Sequence, residues 1–161
     1  VTDLDPLDRR LLDLLQRDAG RTLRQLGEEV GLSPSAVQRR IGRYQRAGIV
    51  DRQVAILAPD AVGGALLAVV LVTLERESSE HHARFAGRML ATPEVQQCYA
   101  VAGEWDYVVV LAVRDMPHCR ELGEHLFKND ANIRRYNTLP VFDRVKAGLE
   151  IPVSRERGSS P

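Results

Sequence analysis

Scarcity is the first thing this sequence shows. Two cysteines, two methionines and one tryptophan occur among 161 residues, and aromatic side chains make up 5%. Cys98 and Cys119 are too few and too far apart for a disulfide framework or a zinc site, and are expected as small core residues of a reduced compartment. No apolar run reaches the length of a membrane span and no signal-peptide pattern opens the chain, so a cytoplasmic protein with no membrane partner is expected. Phosphate-loop, HExxH and nucleophile motifs are missing. His81 and His82 adjoin near a helix start, where solvent exposure accounts for them, and His118 and Cys119 would leave a helix on different faces. No catalytic residue, metal ligand or cofactor is assigned, and the chain is read as a non-enzyme.

Net charge is also absent, but its distribution is uneven. Residues 1–57 carry 10 arginines against 8 acids, whereas residues 58–161 carry 12 basic residues against 14 acids. Residues 33–53 hold five arginines and one acid, Asp51. A local basic stripe on a neutral chain favours a defined docking face over a general polycation role.

That stripe lies on an expected helix. Ser33 is an N-cap, Pro34 suits the first helical position, and Gly48 suits the C′ position. Val37, Ile41 and Tyr44 form one apolar stripe, while Ser35, Arg39, Arg43 and Arg46 project from the opposite face with Gln38 on its flank. Arg40 borders the apolar stripe, so either a phosphate contact or an intramolecular pair with an acid accounts for it. An arginine face alone is more often a solvated surface. The preceding segment shifts the balance: Thr22 and Gln25 fit a capping box, Leu23, Leu26 and Val30 form its stripe, and Gly31 stops it. Two short helices joined by a glycine-containing turn make a helix-turn-helix. An earlier helix beginning at Asp5-Pro6, with Leu4, Leu7, Leu11, Leu12 and Leu15 inward, completes a three-helix unit over residues 1–50.

Residues 51–64 read as a linker strand or small hairpin, giving the first domain a winged character. The second domain, residues 65–152, alternates. Ala65 to Leu74 reads as a strand buried on both faces or nearly so, and Ser79 to Ala91 as a helix with Phe85, Met89 and Leu90 inward. Val95 to Ala102 and Tyr107 to Val113 read as strands. A helix follows with Cys119, Leu122, Leu126 and Phe127, then an extended segment from Ile133 to Lys146. The order βαββαβ gives an α+β, ferredoxin-like domain with both helices on one face of an antiparallel sheet. Pro140 requires the last strand to lie at an edge or be bulged. The face without helices is apolar and invites dimerisation. Residues 153–161 read as a disordered polar tail.

Specific motifs then stand out: Leu4-Asp5-x-x-Asp8-Arg9-x-Leu11-Leu12, Leu32-Ser33-Pro34-Ser35 with Arg39-Arg40 and Gly48-Ile49-Val50, Val101-Ala102-Gly103-Glu104-Trp105-Asp106-Tyr107, and Val145-Lys146. From Leu4 to about Pro152 the chain resembles the Lrp/AsnC, or feast/famine, family of transcription regulators. The resemblance implies an N-terminal DNA-reading domain and a C-terminal domain that dimerises and binds a small effector, usually an amino acid, with dimers often assembling into octamers. Gly42 within the second helix of the motif, Tyr44 in place of the usual leucine, and Tyr136 and Pro140 in the last strand depart from the family pattern.

On this reading Ser35, Gln38 and Arg39 lie nearest the base edges of double-stranded DNA, while Ser33, Arg40, Arg43 and Arg46 suit phosphates. A two-fold dimer implies a pseudo-palindromic operator. For the effector, the loop Ala102, Gly103, Glu104, Trp105, Asp106 and Tyr107 is the candidate, with exposed amides for a carboxylate and Asp106 for an ammonium group. The alternative is a hairpin turn in which Asp106 bonds its own backbone and Tyr107 fills the core. The resemblance adds Tyr136 and Thr138 as pocket-lining positions. A rival function is a ferredoxin-like small-molecule sensor acting through protein contacts without DNA.

Overall fold

The computed structural model describes residues 3–153. They divide into two compact units: the chain up to Ile56 together with the residues from Lys146 onward, and Leu57–Val145. Among the described residues no helix is long and apolar enough to cross a membrane.

The first unit has three helices, α1 (Pro6–Arg17), α2 (Leu23–Val30) and α3 (Pro34–Arg46). Each start is written in the sequence. The Asp5 carboxylate accepts from the Asp8 amide at 2.7 Å, and Asp8 returns the bond to the Asp5 amide. Thr22 and Gln25 cap α2 reciprocally, and Ser33 accepts from the Ala36 amide at 3.3 Å. Leu11, Leu12, Leu15, Leu26, Val30, Val37 and Tyr44 form the core. Leu7 was expected there but is 37% exposed, because Asp8 takes the inward position in register with Leu11, Leu12 and Leu15. Gly27 permits the turn before α3: a Cβ at this position would lie 2.3 Å from the Leu32 carbonyl oxygen. Gly31 then ends α2 in the left-handed region, at φ +70°.

Two expectations about the linker need correction. Residues 51–64 form no strand or hairpin, so the unit carries no wing among the described residues; the segment's regular structure is one 3₁₀ turn, Pro59–Val62. Val54, Ile56 and Leu57 stay open to solvent, and no neighbouring strand supplies the ladder that an extended segment needs. The second correction concerns the chain end. Residues 146–152 were grouped with the second domain and Val153 with the tail, yet this stretch docks on α1. Gln16 donates to the Ile151 carbonyl at 2.9 Å and accepts from its amide at 2.6 Å, while Arg9 donates to the Val153 carbonyl at 3.2 Å. The expected disorder of 154–161 lies outside the described residues.

The second unit is βαββαβ, with strands β1 (Leu66–Leu74), β2 (Val95–Ala100), β3 (Tyr107–Val113) and β4 (Ile133–Pro140). Helices α4 (Ser79–Leu90) and α5 (Met116–Gly123) complete it, the latter running into a π-helical turn, Glu124–Lys128. The sheet order β2-β3-β1-β4 is antiparallel throughout, the ferredoxin-like arrangement. Pro140 therefore sits on an edge strand, where its missing amide costs no interior ladder bond. Ala68, Val70, Val72 and Leu74 alternate inward against Phe85, Met89, Leu126 and Phe127. β1 is thus fully buried on one face rather than on both. Leu90, expected in the core, is 88% exposed, since one residue beyond Met89 turns the side chain about 100° around the helix.

Candidate nucleic-acid interface and effector loop

Two faces of α3 have separate tasks. Val37 and Tyr44 are buried, and the Tyr44 hydroxyl solves the problem that a phenol creates in an apolar core: it donates to Asp8 Oδ1 at 2.5 Å. Asp8 is the buried charge of the unit, 1% exposed, and it also receives Arg40 and, at 2.5 Å, Arg43. Arg40 reaches Asp5 at 2.8 Å. Burial pushes the Asp8 carboxyl up, but hydrogen bonds from Tyr44, Arg40, the Asp5 amide and Arg43 outweigh it, so its pKa lies below the ordinary value. Burial, then Asp8, raises the Tyr44 phenol, which stays protonated. One buried carboxylate thereby fixes α3 to α1 and sets its rotation.

This network divides the expected DNA contacts. Arg40 was left open between a phosphate contact and an intramolecular pair; its guanidinium is held by two carboxylates and its side chain is 21% exposed. Competition between Asp8 and solvent favours Asp8, because leaving this buried carboxylate unpaired is costly. Arg43 is 45% exposed and shares its charge with Asp8. Ser33, Ser35, Gln38, Arg39 and Arg46 are exposed. Ser33 caps the helix and touches Ser35, with their hydroxyls 3.2 Å apart. Arg39 makes no ion pair or hydrogen bond among the described residues and stands free on the outer face. Gly42 lies inside a continuous helix; a Cβ there would meet only the Arg46 guanidinium, at 3.3 Å.

The effector candidates separate in the same way. Asp106 Oδ2 accepts from the Leu74 amide at 2.6 Å, beside the bulge between Thr73 and Leu74, and the Asp106 amide donates to the Val72 carbonyl. It therefore tethers the loop to β1 with one carboxylate oxygen, bonding another strand where the hairpin reading had it bonding its own backbone. Tyr107 is 5% exposed, with its ring 4.3 Å from Phe85 and its hydroxyl 2.6 Å from His82 Nδ1. It is a core residue. Tyr136 and Thr138 pair with Val72 and Val70 on the helix-covered face, and the Tyr136 ring lies 5.4 Å from Phe127. They do not join the exposed part of the loop. Ala102, Gly103 and Glu104 are exposed and Trp105 is half-buried. Gly103, at φ +146°, adopts a backbone that disfavours any other residue. Two shallow depressions of the second unit lie elsewhere, one around Glu94, Arg114 and His118 and the other around Leu67, Phe142 and Arg144.

Two features of the candidate sites escaped the sequence reading. Arg135 donates to Glu104 at 2.7 Å and lies 4.2 Å over the Trp105 ring. No local pattern marks this contact, since it depends on the β1–β4 register. Asp8 could have been found: a buried tyrosine in α3 demands a polar partner, and Asp8 recurs at the helical spacing of Leu11, Leu12 and Leu15.

Comparison with known proteins agrees over both units. The family model of the AsnC-type helix-turn-helix domain matches residues 4–45, and that of the Lrp/AsnC ligand binding domain matches residues 67–151. An uncharacterized HTH-type transcriptional regulator of Sinorhizobium fredii is 35% identical, over 94% of this chain and 89% of its own. The leucine-responsive regulatory protein of Salmonella typhimurium is 35% identical over 89% and 88%. A transcriptional regulator from Neisseria meningitidis, solved as its L-Met complex, superposes with a TM-score of 0.86 at 29% identity, covering 93% of this chain and 97% of that one.

Proposed function

The chain belongs to the Lrp/AsnC family of DNA-binding transcriptional regulators, and we propose that it reads one half of a pseudo-palindromic operator with the outer face of α3, under the control of an amino acid. Ser35, Gln38 and Arg39 take the base edges. Arg46, Ser33 and the exposed part of Arg43 take phosphates, and Arg40 serves the scaffold. The free, exposed guanidinium of Arg39 carries this assignment, because the neighbouring Arg40 is held by Asp5 and the buried Asp8. Arginine offers two parallel donors to guanine O6 and N7, and glutamine a donor and an acceptor to adenine.

The second unit supplies the dimer and the signal. Its helix-free face presents Leu67, Val69 and Leu71 of β1 beside Val108 and Val110 of β3. Two copies of such a face bury one another, setting two α3 helices about a two-fold axis. Further association of dimers, towards an octamer, would set the spacing of these heads. The effector acts at the exposed loop 102–105, and it shifts assembly only by binding one assembled state better than another. A chain of this kind works in the cytoplasm and catalyses no reaction.

Selection of bound fragments from genomic DNA, followed by footprinting with and without each amino acid, tests the reading. Symmetric half-sites whose protection changes with one amino acid support it. Binding that ignores salt would contradict DNA recognition through arginine, since phosphate neutralisation makes affinity fall steeply with salt.

A further inference from the structure

We infer that Arg135 is a ligand-binding residue of the effector loop, and that its ion pair with Glu104 opens to take the two ends of a zwitterionic amino acid. This rests on the reading of loop 102–105 as the effector site. Three observations converge there. Arg135 faces the helix-free side of β4, opposite Thr73, and its guanidinium carbon lies 4.2 Å from the Trp105 ring centroid, a cation–π contact. Its charge is met by Glu104 through a single contact, Nη2 to Oε1 at 2.7 Å, leaving further donors of the fork unused among the described residues. The amides of residues 102–105 donate no hydrogen bond among the described residues, and the loop, with Gly103 at φ +146°, is pinned at its ends by the Val101–Asp106 and Asp106–Val72 bonds.

The pair itself is weak. Glu104 is 70% and Arg135 47% exposed, so the contact is solvated and exchangeable. A zwitterion replaces it without changing net charge: the ligand carboxylate takes Arg135 and the loop amides, and the ligand ammonium takes Glu104. Asp106 Oδ2 is engaged by the Leu74 amide, so Glu104 is the more exposed acid of the loop. The arrangement selects an α-amino acid with both charges free and rejects ligands carrying one of them.

Trp105 is the sole tryptophan of the chain, so its emission reports displacement of Arg135 directly. The experiment titrates the full protein with each of the twenty standard L-amino acids by calorimetry and fluorescence. The best binder is then compared with its des-amino acid and its decarboxylated amine. The expected result is binding of at least one amino acid with a change in Trp105 emission, at least tenfold weaker binding by both analogues, and at least tenfold weaker binding by R135Q and by E104Q. R135Q without ligand should already show altered emission, which a remote structural effect would not produce. Undiminished binding by folded R135Q, or by the des-amino acid, overturns this inference and leaves the effector loop standing. No binding by any amino acid overturns both.

Discussion

Replacing Tyr44 by Phe removes one oxygen from the centre of the helix-turn-helix unit and little else. The hydroxyl is buried and its bond to Asp8 Oδ1 is 2.5 Å long. A hydrogen bond to a charged group contributes about 1.5–3 kcal/mol, and the lower half of that range applies because Arg40, Arg43 and the Asp5 amide still serve Asp8. For a unit this small the loss corresponds to a fall in Tm on the order of 10 °C. Urea unfolding at pH 7 checks it with two probes. Far-UV circular dichroism follows the helices, including all three of the first unit, whereas fluorescence of Trp105 follows the second. The variant's loss should show in the dichroism transition and leave the fluorescence transition in place. The pH dependence has a definite sign. The folded Asp8 pKa is lowered, so its stabilisation is present above the ordinary carboxylate value, near 3.9, and is lost as pH falls through the folded value. Parent and variant should therefore converge in acid. A Tyr44→Phe protein as stable as the parent at pH 7, or one whose deficit persists unchanged through acid, would refute the buried-carboxylate account.

Further outcomes follow from the same geometry. Gly27→Ala should cost about 1–3 kcal/mol and weaken DNA binding, because its Cβ would meet the Leu32 carbonyl oxygen at 2.3 Å; a stable, fully binding variant would contradict the tight turn. Gly42→Ala should stabilise the unit by up to about 1 kcal/mol, seen as a higher dichroism midpoint, since a Cβ there meets only the flexible Arg46 side chain. Arg40→Ala should destabilise the unit by about 1–3 kcal/mol, because Asp8 loses one partner but keeps Arg43 and Tyr44, whereas Arg39→Ala should leave thermal unfolding within about 0.5 kcal/mol of the parent.

Local chemistry made most of the fold legible. The Asp5-Pro6 start, the capping box at Thr22, the Ser33 cap and the Gly31 stop placed three helices, and short apolar runs placed four strands. What remained hidden depends on contacts distant in sequence. The docking of Ile151 on Gln16 pairs backbone with a side chain 135 positions away, and no periodicity announces it. The linker at Val54–Leu57 reads as a strand by composition, but a strand needs a neighbour that the described chain does not provide. In the candidate sites, side-chain type alone could not divide arginine between partners. Arg39, Arg40 and Arg43 look alike until the position of Asp8 sorts them, and Asp106 looks free until the β1 bulge claims it.

The central claim is that the outer face of α3 reads sequence, with Arg39 at a base edge. Its most direct test is the affinity of Arg39→Ala for a selected genomic fragment and for unrelated DNA, measured by fluorescence anisotropy across a range of salt. The account predicts a loss of about 1–3 kcal/mol, roughly tenfold to a hundredfold, on the selected fragment, with non-specific binding much less affected. Equal binding by parent and variant on the selected fragment, or an equal loss on both DNAs, would contradict it.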